Sequence, residues 1–315
     1  MKKSQMSDKV ARRKVAAQRR WTSTKERYET LSFAEALYER DRDSHASVLG
    51  SAIALRLFLF IIPANVALVG MVNLFRLGSS LSEQMEENIP TGEIAKALGD
   101  LSWTSALWVF LTGAYLTLWT GRSLSRVLAT AATSAWRLPA TAAKIRVLAI
   151  VSLTGVFFFT IAAGGVFRRV NKIGSFPASL GAFLGLVAVA AVVWFIVMLT
   201  LPRVTQDPGS LLPGAAMVGL FFASLQWFMQ SYLPNRVART SDTLGDLATV
   251  VAALGNFFFI GRLMSSSFVL TAVIYERYGS ISEVIFGLPL LRRIPQKSPK
   301  VRTYFALDDM SNSPH

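Results

Sequence analysis

The chain has 315 residues with a formal net charge of +14, and 52% of its residues are hydrophobic while only 17% are charged. A soluble domain averages about 25% charge, and here the apolar residues fall in blocks long enough to cross a bilayer, which takes about 20 residues. With no cysteine and two histidines, His45 and His315, thiolate chemistry, disulfides and a histidine-based metal cluster inside the membrane are excluded.

Residues 1–29 are polar and basic and are expected to form a cytoplasmic arm, either solvated or resting on lipid. In "TLSFAEALYERDRD" (30–43), Ser32 followed by Glu35 matches a capping box. Phe33, Ala34, Leu37 and Tyr38 share one helical face. A short amphipathic helix lying at the membrane interface is expected there. Residues 1–45 thus form a basic arm with an interfacial helix.

Six apolar runs follow, over about 46–75, 103–125, 147–167, 179–200, 211–232 and 247–274. They are too long for barrel strands and lack strand alternation, so helices are expected. The fold class is all-α, a polytopic membrane protein with a six-transmembrane-helix bundle over 46–275 and a basic tail over 276–315. Lysine and arginine set the orientation. With both termini in the cytoplasm, 23 basic residues lie inside and 7 outside. The chain is expected to be embedded in a membrane, with anionic lipid headgroups at the cytoplasmic face as partners. Nucleic acid is not expected, since the basic residues sit at chain ends and membrane borders.

The external connection over 76–102 carries Leu81, Met85 and Ile89 at helical spacing before Pro90, which suggests a short surface helix. In the fourth run Gly181 and Gly185 form a G-x-x-x-G pair continued by Ala188. Close packing within the monomer is expected of it, ahead of dimerisation.

The spans hold three arginines, Arg56, Arg122 and Arg262, and none of the 19 acidic residues. A central arginine costs about 2.5–3.5 kcal/mol on insertion scales. Arg122 is expected to snorkel to the nearby inner border. Arg56 stands ten residues into its run, on the order of 15 Å deep, and Arg262 about as deep, so both need a partner. Ser265 and Ser266 lie at i+3 and i+4 from Arg262 and offer hydroxyls. Pro63, at i+7 from Arg56, frees the Leu59 carbonyl. These residues are the candidates for binding an anion or a lipid. Asn65, Gln226 and Asn256 form a second polar set, either a path with the arginines or interhelical hydrogen bonds that tighten the bundle.

No H-E-x-x-H, P-loop or G-x-G-x-x-G motif occurs. The acidic pairs Glu86–Glu87 and Asp308–Asp309 lie in surface segments. No catalytic residue, metal or cofactor is expected, and the chain is not expected to be an enzyme.

The runs "ASVLGSAIALRLFLFIIPANVALVGMVNLF", "SLLPGAAMVGLFF" and "SYLPNRVARTSDTLGDLATVVAALGNFFFIGRLMSSSFVLTAVI", with "AWRLP" at 135–139, together resemble the YihY/virulence factor BrkB family over roughly 45–280. One departure stands out: where many members end the last span with "GAELN", this chain has "SSFVLTAVI". The resemblance implies a bacterial inner-membrane protein of six helices. It also carries an older ribonuclease BN label and the idea of transport or lipid translocation. A nuclease needs clustered acids or histidines, usually with metal, and no convincing cluster is present. The expected function is therefore a transporter or translocator of an anionic solute or lipid. The alternatives are a non-transporting envelope scaffold and, last, a ribonuclease.

Overall fold

A computed structural model describes residues 29–75, 102–139, 141, 150, 153–155, 176–244, 246–279 and 281–282. All regular structure among them is helical. The helices are α1 (Glu29–Asp43), α2 (Ala46–Leu74), α3 (Trp103–Ala135), α4 (Phe176–Thr200), α5 (Leu212–Leu244) and α6 (Asp246–Tyr278), with a 3-10 turn over Pro208–Leu211 before α5. Among the described residues, four segments are long and apolar enough to cross a membrane: Ala46–Leu74, Ser179–Thr200, Pro208–Phe228 and Leu254–Tyr278.

These four match the first, fourth, fifth and sixth expected runs. The second run is helical but longer than hydropathy indicated, since α3 continues ten residues past 125. Its last turns, "RVLATAATSA", are small and helix-compatible without being lipid-like. Consequently Arg122 is thirteen residues from the end of α3, not at its border. Most of the expected 147–167 run, the surface helix of the 76–102 connection and both terminal tails lie outside the described residues.

The helix expected at 30–43 is α1, but it begins at Glu29, so Ser32 lies inside it and does not cap it. Phe33, Ala36 and Leu37 pack against the bundle core. His45, in the left-handed conformation (φ 51°), turns the chain from α1 into α2.

The bundle is laced by neighbours in the order α3, α2, α6, α5, α4. Membrane helices approach closely where the side chains are small, and glycine makes each of these crossings. A Cβ on Gly113 of α3 would stand 2.5 Å from the Ala67 nitrogen of α2, and one on Gly70 would stand 2.5 Å from the Phe110 nitrogen. On the other side of α2, Gly50 meets the Arg262 backbone of α6, and Gly261 meets Ala54. Gly219 of α5 lies against Val187 and Ala191 of α4, and Gly214 against Ser267 and Thr271 of α6. Among the described residues the Gly181–Gly185 pair has no such role. None of them lies within 4 Å of a Cβ at either position, and both glycines sit on the exposed face of α4.

The core gathers Ile53, Phe60 and Ala64 of α2, Leu124 and Leu128 of α3, Trp194 and Met198 of α4 and Phe268 of α6. The buried Trp194 indole N–H donates to the Ser267 hydroxyl at 2.9 Å, tying α4 to α6.

Candidate functional site

The polar groups of the bundle concentrate at one end, where α1, the C-terminal end of α3 and the C-terminal end of α6 meet. Arg40 of α1 is 5% exposed. Its guanidinium donates to the Ala135 carbonyl at 3.0 Å and pairs with Glu276 of α6. Both contacts answer the cost of burying a charge. Next to it, Trp136 stacks edge-on against Tyr275 at 5.6 Å. Ser134 donates to the Ser44 carbonyl at 3.0 Å. Arg277 donates to the Ser32 hydroxyl, and Arg137 approaches Asp43 at 3.4 Å.

Asp41, one residue along α1, reaches Arg262. The Nη2···Oδ2 distance is 2.6 Å, and the two side chains are 34% and 26% exposed. The expectation that Arg262 lacks a negative counterpart is thereby corrected. The acid comes from α1, 221 residues away in sequence, and not from within a span. Only Nη1 of Arg262 is left buried without a hydrogen bond.

Ser265 is buried and Ser266 half-buried, and among the described residues no hydrogen bond joins either to Arg262. Arg56 is exposed on α2, and among the described residues it makes no hydrogen bond or ion pair. Pro63 is accommodated inside a continuous α2. The polar amides do not join in a path. Asn65 donates to its own helix at the Ile61 carbonyl, 3.0 Å, while its Oδ1 and that of Asn256 are buried without partners. Gln226 is half-buried on α5.

Two features escaped the sequence reading. Arg40 looks like one of several alternating charges in "YERDRD", and nothing local marks it for burial. Asp207, in the α4–α5 connection, is 3% exposed and accepts from the Gly209 amide at 2.9 Å and the Ser282 hydroxyl at 2.8 Å. The "DPG" sequence is an Asx-turn signal that could have found it. Arg203 closes the end of α4 by donating to the Leu199 carbonyl at 3.3 Å and the Thr205 carbonyl at 2.9 Å. Such donation satisfies last-turn carbonyls.

With this architecture in view, a family model described as Virulence factor BrkB matches residues 37–285. The chain belongs to the virulence factor BrkB family. No curated protein and no solved structure matches it. The match begins within α1 and ends just beyond Ser282, so the BrkB region contains every contact of the α1–α3–α6 cluster from Arg40 onward. This BrkB-family chain is a membrane-embedded protein with apolar helices.

Proposed function

We propose that this protein is a multi-pass bacterial plasma-membrane protein that translocates an anionic molecule, and that a phosphate-bearing lipid fits it better than a free solute. In this reading α3 and the 147–167 run complete a six-helix bundle with both termini in the cytoplasm. The close α2–α3 crossing through Gly70 and Gly113 supports counting α3 among the spans, since its 33 residues extend about 50 Å.

The observation that carries the reading is Arg56. It is a permanent cation about 15 Å along α2, exposed and with no hydrogen bond or ion pair among the described residues. Such a charge is costly in hydrocarbon unless it meets water, an anion or a lipid phosphate. Its place on the outside of the bundle favours a lipid, which reaches it from the bilayer directly. Arg262 has a weaker claim, because Asp41 already neutralises it.

The test is lipid movement in proteoliposomes, followed by dithionite quenching of a fluorescent anionic phospholipid. Wild-type protein accelerates exchange between leaflets, and Arg56→Gln slows it at least about tenfold, as expected for losing about 1.4 kcal/mol or more from a charge-assisted contact. Equal rates for empty liposomes, wild type and Arg56→Gln would discard translocation and leave the scaffold reading.

A further inference from the structure

The meeting point of α1, α3 and α6 is not filled by its ion pairs. A cleft of about 350 Å³ opens there, lined by Ala36, Glu39, Arg40, Arg137, Val273, Glu276 and Arg277. That is within the usual range for a small-molecule site, roughly 300–1,000 Å³. Its charges are unevenly engaged. Arg40 and Glu276 neutralise each other. Arg137 is 64% exposed and only loosely held by Asp43. Arg277 binds a neutral hydroxyl, that of Ser32, and stands 5.7 Å from the Tyr278 ring centre, with no carboxylate partner among the described residues. Glu39 lines the same cleft, is exposed, and has no cation paired with it among the described residues.

The cleft therefore offers two exposed guanidinium groups, those of Arg137 and Arg277, and the exposed carboxylate of Glu39, which no cation among the described residues pairs with. A simple anion would use the first and be repelled by the second. A simple cation would meet the reverse. A molecule with a phosphodiester and an ammonium a few bonds apart matches both. Guanidinium groups suit phosphate oxygens because they donate in a planar fork, which is how basic pockets between membrane helices hold the phosphates of lipid headgroups. Ala36 and Val273 give the cleft an apolar wall.

We propose that this cleft binds a zwitterionic phosphodiester headgroup of the ethanolamine class, with its phosphate on Arg137 and Arg277 and its ammonium on Glu39. The site is separate from Arg56, and its occupancy requires no translocation. The same chemistry is available from a membrane phospholipid or from a water-soluble phosphoester.

The experiment is native mass spectrometry of the full chain, released from micelles doped equally with phosphatidylethanolamine, phosphatidylglycerol and phosphatidylcholine. Wild type retains phosphatidylethanolamine in preference to the other two. Glu39→Gln, an exposed change that leaves the fold intact, reduces the preference over phosphatidylglycerol at least about fivefold, on the scale of one partly exposed charge-assisted hydrogen bond. Arg277→Gln weakens retention of both lipids by a similar factor, and Arg277→Lys restores part of it. Arg56→Gln, which removes the lipid contact proposed above, leaves the effect of Glu39→Gln on phosphatidylethanolamine retention unchanged, so loss of translocation and loss of this site are read separately. Added glycerophosphoethanolamine distinguishes the sources: displacement of the lipid identifies the headgroup alone as ligand, and no displacement identifies the intact phospholipid. Equal retention of the three lipids by wild type, or a preference unaltered by Glu39→Gln, would overturn the proposal.

Discussion

Replacing Gly113 with alanine adds one methyl group at the closest point of the α2–α3 crossing. The added Cβ would stand 2.5 Å from the Ala67 nitrogen and 2.8 Å from its Cα. Both are backbone atoms of a helix fixed on its other side by Gly50 and Gly261 against α6, so no side-chain rotation relieves the overlap. To restore an ordinary contact the two helices must separate by about 1 Å, loosening the packing of Phe60 and Leu124 below. Overpacking of this kind costs about 1–3 kcal/mol. Against it stands the gain of replacing a helical glycine by alanine, about 0.8–1.0 kcal/mol.

Gly181→Ala supplies the control. It makes the same chemical change inside an apolar helix, but none of the described residues lies within 4 Å of the new Cβ. Only the propensity gain applies. The two variants are compared by reversible unfolding in mixed micelles with increasing dodecyl sulfate. Gly181→Ala is expected to match or exceed wild type, and Gly113→Ala to fall about 2 kcal/mol below Gly181→Ala. If the two unfold together, the α2–α3 crossing is not where these glycines place it. If Gly181→Ala is the damaged one, the fourth helix packs through its G-x-x-x-G face after all.

The Asp41–Arg262 pair is tested by a double-mutant cycle with Asp41→Asn and Arg262→Gln in the same unfolding assay. A coupling of about 1 kcal/mol is expected for a partly buried, well-aligned pair, and additivity within about 0.3 kcal/mol would refute the contact. Ser267→Ala strands the buried Trp194 indole N–H and is expected to cost about 1–2 kcal/mol. Adding Trp194→Phe should then cost less than it does in wild type, and a full independent cost would show that the hydroxyl is not the indole's partner.

The helices most legible in the sequence were those whose apolar content alone defines them. α2, α4 and α6 were outlined to within a few residues because hydrocarbon-like runs have one stable form in lipid. α3 was cut short because hydropathy marks where a helix stops resembling lipid, not where its hydrogen bonding stops. The stretch "RVLATAATSA" continues the helix with small residues, most of them buried in the core. Ser32 was mistaken for a cap because a capping box is a local pattern, and the turn before it is helical as well. The glycines teach the same lesson from the other side. Spacing singled out Gly181 and Gly185, yet contact is made by Gly70 and Gly113, which belong to no such pair. Which glycine meets a backbone depends on the neighbouring helix, and a single helix does not record its neighbours.

The candidate site separated along the same line. Arg56 and Arg262 looked alike in sequence: each is a lone cation within an apolar run, with no acid within reach on its own helix. Tertiary structure makes them opposites. Arg262 lies where α6 crosses the first turns of α2 at Gly50, and from there its long side chain reaches Asp41 at the end of α1. Arg56 lies six residues further along α2 and is exposed, with no described acid to meet it. The first arginine therefore works as a structural fastening between α1 and the bundle, and neutralising it should loosen α1. The second contributes nothing visible to packing, so among the described residues nothing answers its cost to the membrane-embedded fold. A charge kept at a cost and not used for stability is the one to examine for function. This is why Arg56, and not the better-positioned Arg262, carries the case for an anionic lipid.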